Sequence, residues 1–140
     1  MKWIAVPILA ATLAAMTAPA ETQSVNGCWN YSDGTVFSSV CLRGDGRGTF
    51  NLEYATEDPD LGMVKGSCNG RVEVEAASPD AVSFAAPYQD SACRQGDLVF
   101  RLARREYVCT RDGRALSCDL TVFYDDGSVY SRAEGLSYRR

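Results

Sequence analysis

After residue 20, short runs of β-branched and aromatic residues are ended by Gly, Asp-Gly or Pro, and a helical period of apolar positions is hard to find. This pattern predicts strands over residues 25–31, 35–42, 47–55, 63–68, 70–76, 81–86, 97–103, 105–111, 115–124, 128–133 and 135–139. In "RVEVEA", residues 71–76, Val72 and Val74 fall on one face and Glu73 and Glu75 on the other, so one side meets a core and the other meets water. Asp-Gly pairs at 33–34, 45–46, 112–113 and 126–127 predict tight hairpin turns, because glycine accepts the positive φ such turns require and aspartate tolerates it. Two polar stretches, "ATEDPDLG" at 55–62 and "APYQDSACRQGD" at 86–97, lack a strand pattern and contain Pro59 and Pro87. They are expected as exposed loops, where partner contacts on a rigid β scaffold concentrate. Many short strands at this spacing predict an all-β domain, a small antiparallel β-barrel or barrel-like sandwich of about eight strands.

One phrase occurs twice, "YSDGTVFS" at 31–38 and "YDDGSVYS" at 124–131. With Asp33-Gly34 as a two-residue loop, Tyr31 lies opposite Val36 and Trp29 opposite Ser38, which places Trp29, Tyr31, Val36 and Val40 on an inner face. The same rule gives the second hairpin an inner face of Leu120, Val122, Tyr124, Val129 and Ala133. In a closed barrel the first and last strands meet, so the two hairpins are expected to be neighbours. Phe37 and Tyr130 then occupy matching outer positions and are expected to form a shared exposed aromatic patch.

The first twenty residues put Lys2 before an apolar run and end in Ala18-Pro19-Ala20, the pattern of a cleaved signal peptide. The run is short for a membrane span of ~20 residues and has no basic stop behind it. Residues 21–140 are expected as one domain, exported to a periplasm or secreted. All six cysteines lie in that portion, and an even number in a small exported chain predicts three disulfides. Cys28 and Cys41 fall near a diagonal pair of the first hairpin, and Cys109 and Cys118 flank the Asp112-Gly113 turn, leaving Cys68 and Cys93 for a longer loop. This sequential pairing is one of 15 connectivities. Loss of Lys2 changes the formal charge from −4 to −5, which argues against a nucleic-acid partner. Arg101, Arg104, Arg105, Arg111 and Arg114 cluster in sequence and are read as a solvated face.

Without histidine the chain lacks Ser-His-Asp and Cys-His catalysis, and without a C-x-x-C pair it lacks a zinc pattern, so no metal or cofactor is expected. Glu57, Asp58 and Asp60, and separately Asp125 and Asp126, are the acidic groups from which a small carboxylate-based hydrolase or a calcium site would be built. Neither cluster has EF-hand spacing, and a glycosidase cleft is hard to enclose in a domain this small. The glycines of "RGDGRGTF" precede a strand rather than the helix a phosphate cradle needs.

Gly27-Cys28-Trp29 resembles the Gly-x-Trp signature that opens the first strand of lipocalin-like (calycin) barrels, a pattern shared with small bacterial barrel inhibitors of secreted proteases. The resemblance implies that Trp29 plugs one barrel end under an arginine of the last strand, Arg139 or its neighbour Arg140. The function expected from these features is non-enzymatic binding of a protein partner through loops or an outer face, such as inhibition of a secreted hydrolase through the tail "ETQSV" at 21–25. The partner-facing candidates are Phe37, Tyr130, Glu57, Asp58, Asp60 and Tyr88. The alternative is carriage of a small apolar ligand in the barrel, with Trp29, Tyr31, Tyr124 and Arg139 at the cavity or barrel end. An enclosed space of ~300 Å³ or more separates the second reading from the first.

Overall fold

A computed structural model describes residues 25–87, 92–100 and 104–140. The expected signal segment 1–20, tail residues 21–24, Tyr88 and Arg101 lie outside the described residues. Among the described residues ten antiparallel strands form one sheet: β1 (Gly27–Ser32), β2 (Val36–Leu42), β3 (Arg47–Asp58), β4 (Gly62–Ala77), β5 (Ala81–Ala86), β6 (Ala92–Gln95), β7 (Leu98–Phe100), β8 (Arg104–Asp112), β9 (Ala115–Phe123) and β10 (Val129–Arg139). Eight of them close a barrel in the order β3-β2-β1-β10-β9-β8-β5-β4, with β4 returning to β3. The free edge of β4 is divided: its Glu73–Ala77 end pairs with β5, whereas Gly66–Asn69 pairs with β6. The β6–β7 hairpin therefore continues the wall where β5 has stopped.

Both stretches expected as loops contain strand. Residues 55–62 carry the ends of β3 and β4, whose pairing runs without a break to Asp58 opposite Gly62. The Asp58 carboxylate accepts the backbone N–H groups of Asp60 and Leu61, at 2.8 and 3.0 Å, and closes a turn of only three residues. Within 86–97, β6 exists because Cys93 is bound to Cys68 directly across the ladder. The separate strands expected at 63–68 and 70–76 are one strand, β4, and those expected at 128–133 and 135–139 are both part of β10.

The first hairpin has a four-residue connection, because the last strand pair is Ser32 with Phe37. One oxygen of Asp33 accepts the N–H groups of Thr35 and Val36, at 3.0 and 2.8 Å, and Asp33 N–H donates to the Val36 carbonyl. The register is thus Tyr31 opposite Ser38 and Trp29 opposite Val40, two residues from the expected one. A shift of two preserves side-chain parity, so Trp29, Tyr31 and Val40 still share the inner face, where buried Ser38 joins them.

The second hairpin breaks the analogy. Val129 opposes Phe123 but Ser131 opposes Val122, so Tyr130 is an extra residue, a β-bulge that resets the alternation. Leu120, Val122 and Ala133 remain on the inner side, but Tyr124 and Val129, expected in the core, are 45% and 46% exposed. β1 and β10 meet through Asn30 and Arg139, so the two hairpins do lie on adjoining strands.

The cysteines pair as Cys28–Cys41, Cys68–Cys93 and Cys109–Cys118, each joining directly opposed residues with Cα atoms 4.0 Å apart. Three such bonds fit an oxidising compartment, periplasmic or extracellular. Val25, Trp29, Val40, Leu42, Phe50, Val72, Val82, Phe84, Tyr107, Leu116 and Tyr138 belong to one core.

Candidate ligand-binding site

One end of the barrel is filled. Trp29 is buried there, its Nε1 donating to the Arg114 carbonyl at 3.1 Å, and the Arg140 guanidinium lies 4.8 Å from its ring centroid. Arg140 also donates to the Asn26 carbonyl at 2.6 Å. Gly27 has φ 147°, and a Cβ there would lie 2.7 Å from Arg140 Nη2, so glycine is needed for the arginine to fold over the tryptophan. The covering residue is Arg140 and not Arg139, because Arg139 pairs in the sheet between Asn30 and Ala115 and its side chain is exposed.

The other end holds a cup of about 450 Å³. Its wall grades from the exposed residues Asp33, Tyr130 and Ser131 at the mouth to the buried residues Ser38, Cys68, Arg105, Val122 and Tyr138. Between them lie Val36, Leu52, Leu120, Ala133 and Leu136, with Phe100 supplied by β7. Alternation on each strand produces this lining: Arg105, Tyr107 and Cys109 of β8 point inward, as do Leu52 and Tyr54 of β3.

At the floor, the Ser38 and Tyr138 hydroxyls are 2.9 Å apart. Tyr107 stacks on Phe84, with ring centroids 4.6 Å apart, and meets Tyr138 edge-on. Arg105 is 6% exposed, stands 5.0 Å from the Phe50 ring centroid and hydrogen-bonds with Tyr107. Burial raises the pKa of both Tyr107 and Tyr138, since their ionised forms would lose hydration. At the mouth, burial and then the hydrogen bond to Asp33 raise the Tyr31 pKa. The Thr35 and Val36 backbone N–H groups hold the Asp33 carboxyl below its usual range.

Tyr54 separates the cup from a second concavity of about 610 Å³ on the outer wall, lined in part by Phe37, Glu53, Lys65 and Arg94. Its hydroxyl donates to Gln95 at 3.1 Å, and its ring lies across Gly66, which it opposes in the ladder.

Of the residues expected at a cavity, only Tyr31 lines the cup. Trp29 belongs to the filled end, and Tyr124 packs edge-on against Tyr130 with centroids 5.2 Å apart. Phe37 and Tyr130 are both exposed, but Phe37 lines the outer concavity and Tyr130 the cup. The aromatic neighbour of Tyr130 is Tyr124, not Phe37, because the bulge turned it. Glu57 and Asp60 are exposed at the β3–β4 tip, where Asp58 is committed to its turn. Asp126 is bound to Ser128 in the β9–β10 turn. Among the described residues no group of three or more acidic or cysteine side chains has metal-binding geometry. Val25, the last residue of the tail expected to contact a hydrolase, is buried in the core.

Arg105, expected on a solvated face because it sits in a run of arginines, is instead buried. Two of its neighbours make their contacts outside the cup: Arg104 pairs with Glu106 at 2.7 Å and with Glu75, and Arg111 donates to the Ser78 carbonyl. The signal was its parity with Tyr107 and Cys109. The chain matches no protein-family model, no curated protein sequence and no solved structure.

Proposed function

We propose that the protein is an exported binder of a small amphipathic molecule, carried in the cup at the open end of the barrel. The observation that carries this reading is the apolar space of about 450 Å³ between the tyrosines of the mouth and the buried floor, which lies within the range of small-ligand sites. It favours the carrier reading over the filled barrel expected for a purely surface-acting protein. The Gly27–Trp29–Arg140 arrangement supports a likeness to lipocalin-type barrels. Export to a periplasm or the exterior agrees with the three disulfides and the leader-like first twenty residues.

The test is displacement of a neutral fluorescent probe, 1-aminoanthracene, by saturated twelve-carbon amphiphiles, using the oxidised protein. Saturable displacement that is lost on filling the cup with Ala133→Phe is expected. Absence of probe and amphiphile binding by folded protein would refute the reading.

A second reading, contact with a protein partner such as a secreted hydrolase, is favoured by the β3–β4 tip. Leu61 and Met63 there are 77% and 66% exposed beside Glu57 and Asp60. Paired Leu61→Glu and Met63→Glu substitutions should abolish such an interaction and leave the cup's binding intact; unchanged inhibition of the hydrolase would remove the tip from it.

A further inference from the structure

We infer that the cup's occupant is a monoanionic amphiphile, a single-chain carboxylate whose head group pairs with Arg105 and whose apolar chain runs toward the mouth. The inference rests on the carrier reading and adds the chemical class and orientation of the ligand.

Among the described residues, Arg105 is the only cation lining the cup, and it is almost wholly buried. A guanidinium does not escape burial by losing its proton, so a charge held in an apolar wall calls for a counter-charge. Among the described residues none supplies it. The ion pairs between described residues are Arg43–Asp45, Arg104–Glu75 and Arg104–Glu106, and the partners of Arg105 are the Phe50 ring and Tyr107, neither of them an acid. The adjacent Arg104 shows the contrast, since it takes two carboxylates on the outer face of the same strand.

The planar fork of a guanidinium matches a carboxylate through two parallel hydrogen bonds. One cation, with no second basic residue among the described residues of the lining, suits a single negative charge better than a phosphate dianion. The Ser38 and Tyr138 hydroxyls add neutral polar groups at the same floor.

The mouth has the opposite character. Asp33 stands there ionised, and it repels an anion at the entrance. Tyr31, Tyr54 and Tyr130 offer ring faces and edges to a hydrocarbon chain. Charge and apolarity are thus ordered along the cup, with the cation deep and the carboxylate outermost.

The experiment compares dodecanoate, dodecanol and dodecylammonium as competitors of 1-aminoanthracene at pH 8, below their micellar concentrations. Dodecanoate is expected to bind at least ~10-fold more tightly than dodecanol, the scale of one charge-assisted hydrogen-bonded pair, with dodecylammonium weakest. Arg105→Gln should remove that margin and leave dodecanol within about 2-fold of its wild-type affinity. Equal binding of acid and alcohol by the wild-type protein would overturn the anion assignment while leaving the carrier reading standing. Binding of none of the three would end both. If Arg105→Gln fails to fold, the wild-type ranking of the three head groups decides alone.

Discussion

Gly66→Ala is the most discriminating single substitution in the wall of the cup, because two effects of opposite sign meet there. Gly66 is not among the glycines with positive φ, so alanine is conformationally allowed. On an open strand it would stabilise by about 0.5–1 kcal/mol through lost unfolded-state freedom. Here the added Cβ would fall within the Tyr54 ring, 2.5 Å from Cε2. Overpacking of this kind costs about 1–3 kcal/mol, and displacement of the ring also loses its hydrogen bond to Gln95. The net expectation is a loss of ~1–2 kcal/mol, or a Tm lower by roughly 4–8 °C for a domain of this size. In a Tyr54→Ala background the clash disappears and Gly66→Ala should turn stabilising by about 0.5 kcal/mol, a coupling of ~1.5–2.5 kcal/mol in the double-mutant cycle. Urea unfolding of the four proteins measures it. A neutral or stabilising Gly66→Ala in the wild-type background would show that the ring does not lie across the glycine. It would also remove Tyr54 as the partition between the cup and the outer concavity.

Three other outcomes are expected. Removing Cys109 and Cys118 together should cost more than removing Cys28 and Cys41, although the sequence separations, 9 and 13, give ~2.6 and ~2.9 kcal/mol by chain entropy alone. Both sulfurs of the first pair are buried and Cys28 is exposed, so the core also loses packing; equal denaturation midpoints for the two variants would contradict this. Tyr107 and Tyr138 have raised pKa values in the fold, so their stabilisation is complete below the unfolded value near pH 10 and is lost as pH rises through the folded values. Absorbance at 295 nm should therefore show two tyrosines ionising only with alkaline unfolding, and a single reversible titration of all tyrosines near pH 10 would refute their burial. Asp33 and Asp126 have lowered values, so their contribution is present above about pH 3.9 and disappears as pH falls through the folded pKa. Asp33→Asn with Asp126→Asn should flatten the acid limb of the stability curve below that pH, and an unchanged limb would exclude both turns from acid sensitivity.

Much of the architecture is local information. The turns at the Asp-Gly pairs, the strands between them, the alternation of Val72 and Val74 with Glu73 and Glu75, and the pairing of cysteines across hairpins all follow from residue type and a period of two. The reach of that logic ends where an extra residue enters a strand. Tyr130 is such a residue, and its bulge moved Tyr124 and Val129 out of the expected core and turned Tyr130 toward the mouth. Nothing in "YDDGSVYS" differs from "YSDGTVFS" in a way that signals the bulge; it arises in the pairing with β9.

The site depended still more on assembly. Residue type and spacing along the chain point to an all-β, disulfide-bonded domain suited to an oxidising compartment, and to a first-strand tryptophan placed for a barrel end. That β6–β7 fills the wall left by β5 and brings Phe100 to the cup, and that Arg105 turns inward while Arg104 turns out, emerges from the closed barrel. Strand alternation is a property of one chain segment, whereas a cavity and the missing counter-charge of a buried cation are properties of segments distant in sequence. They exist only once the barrel has closed and water has been removed from between them.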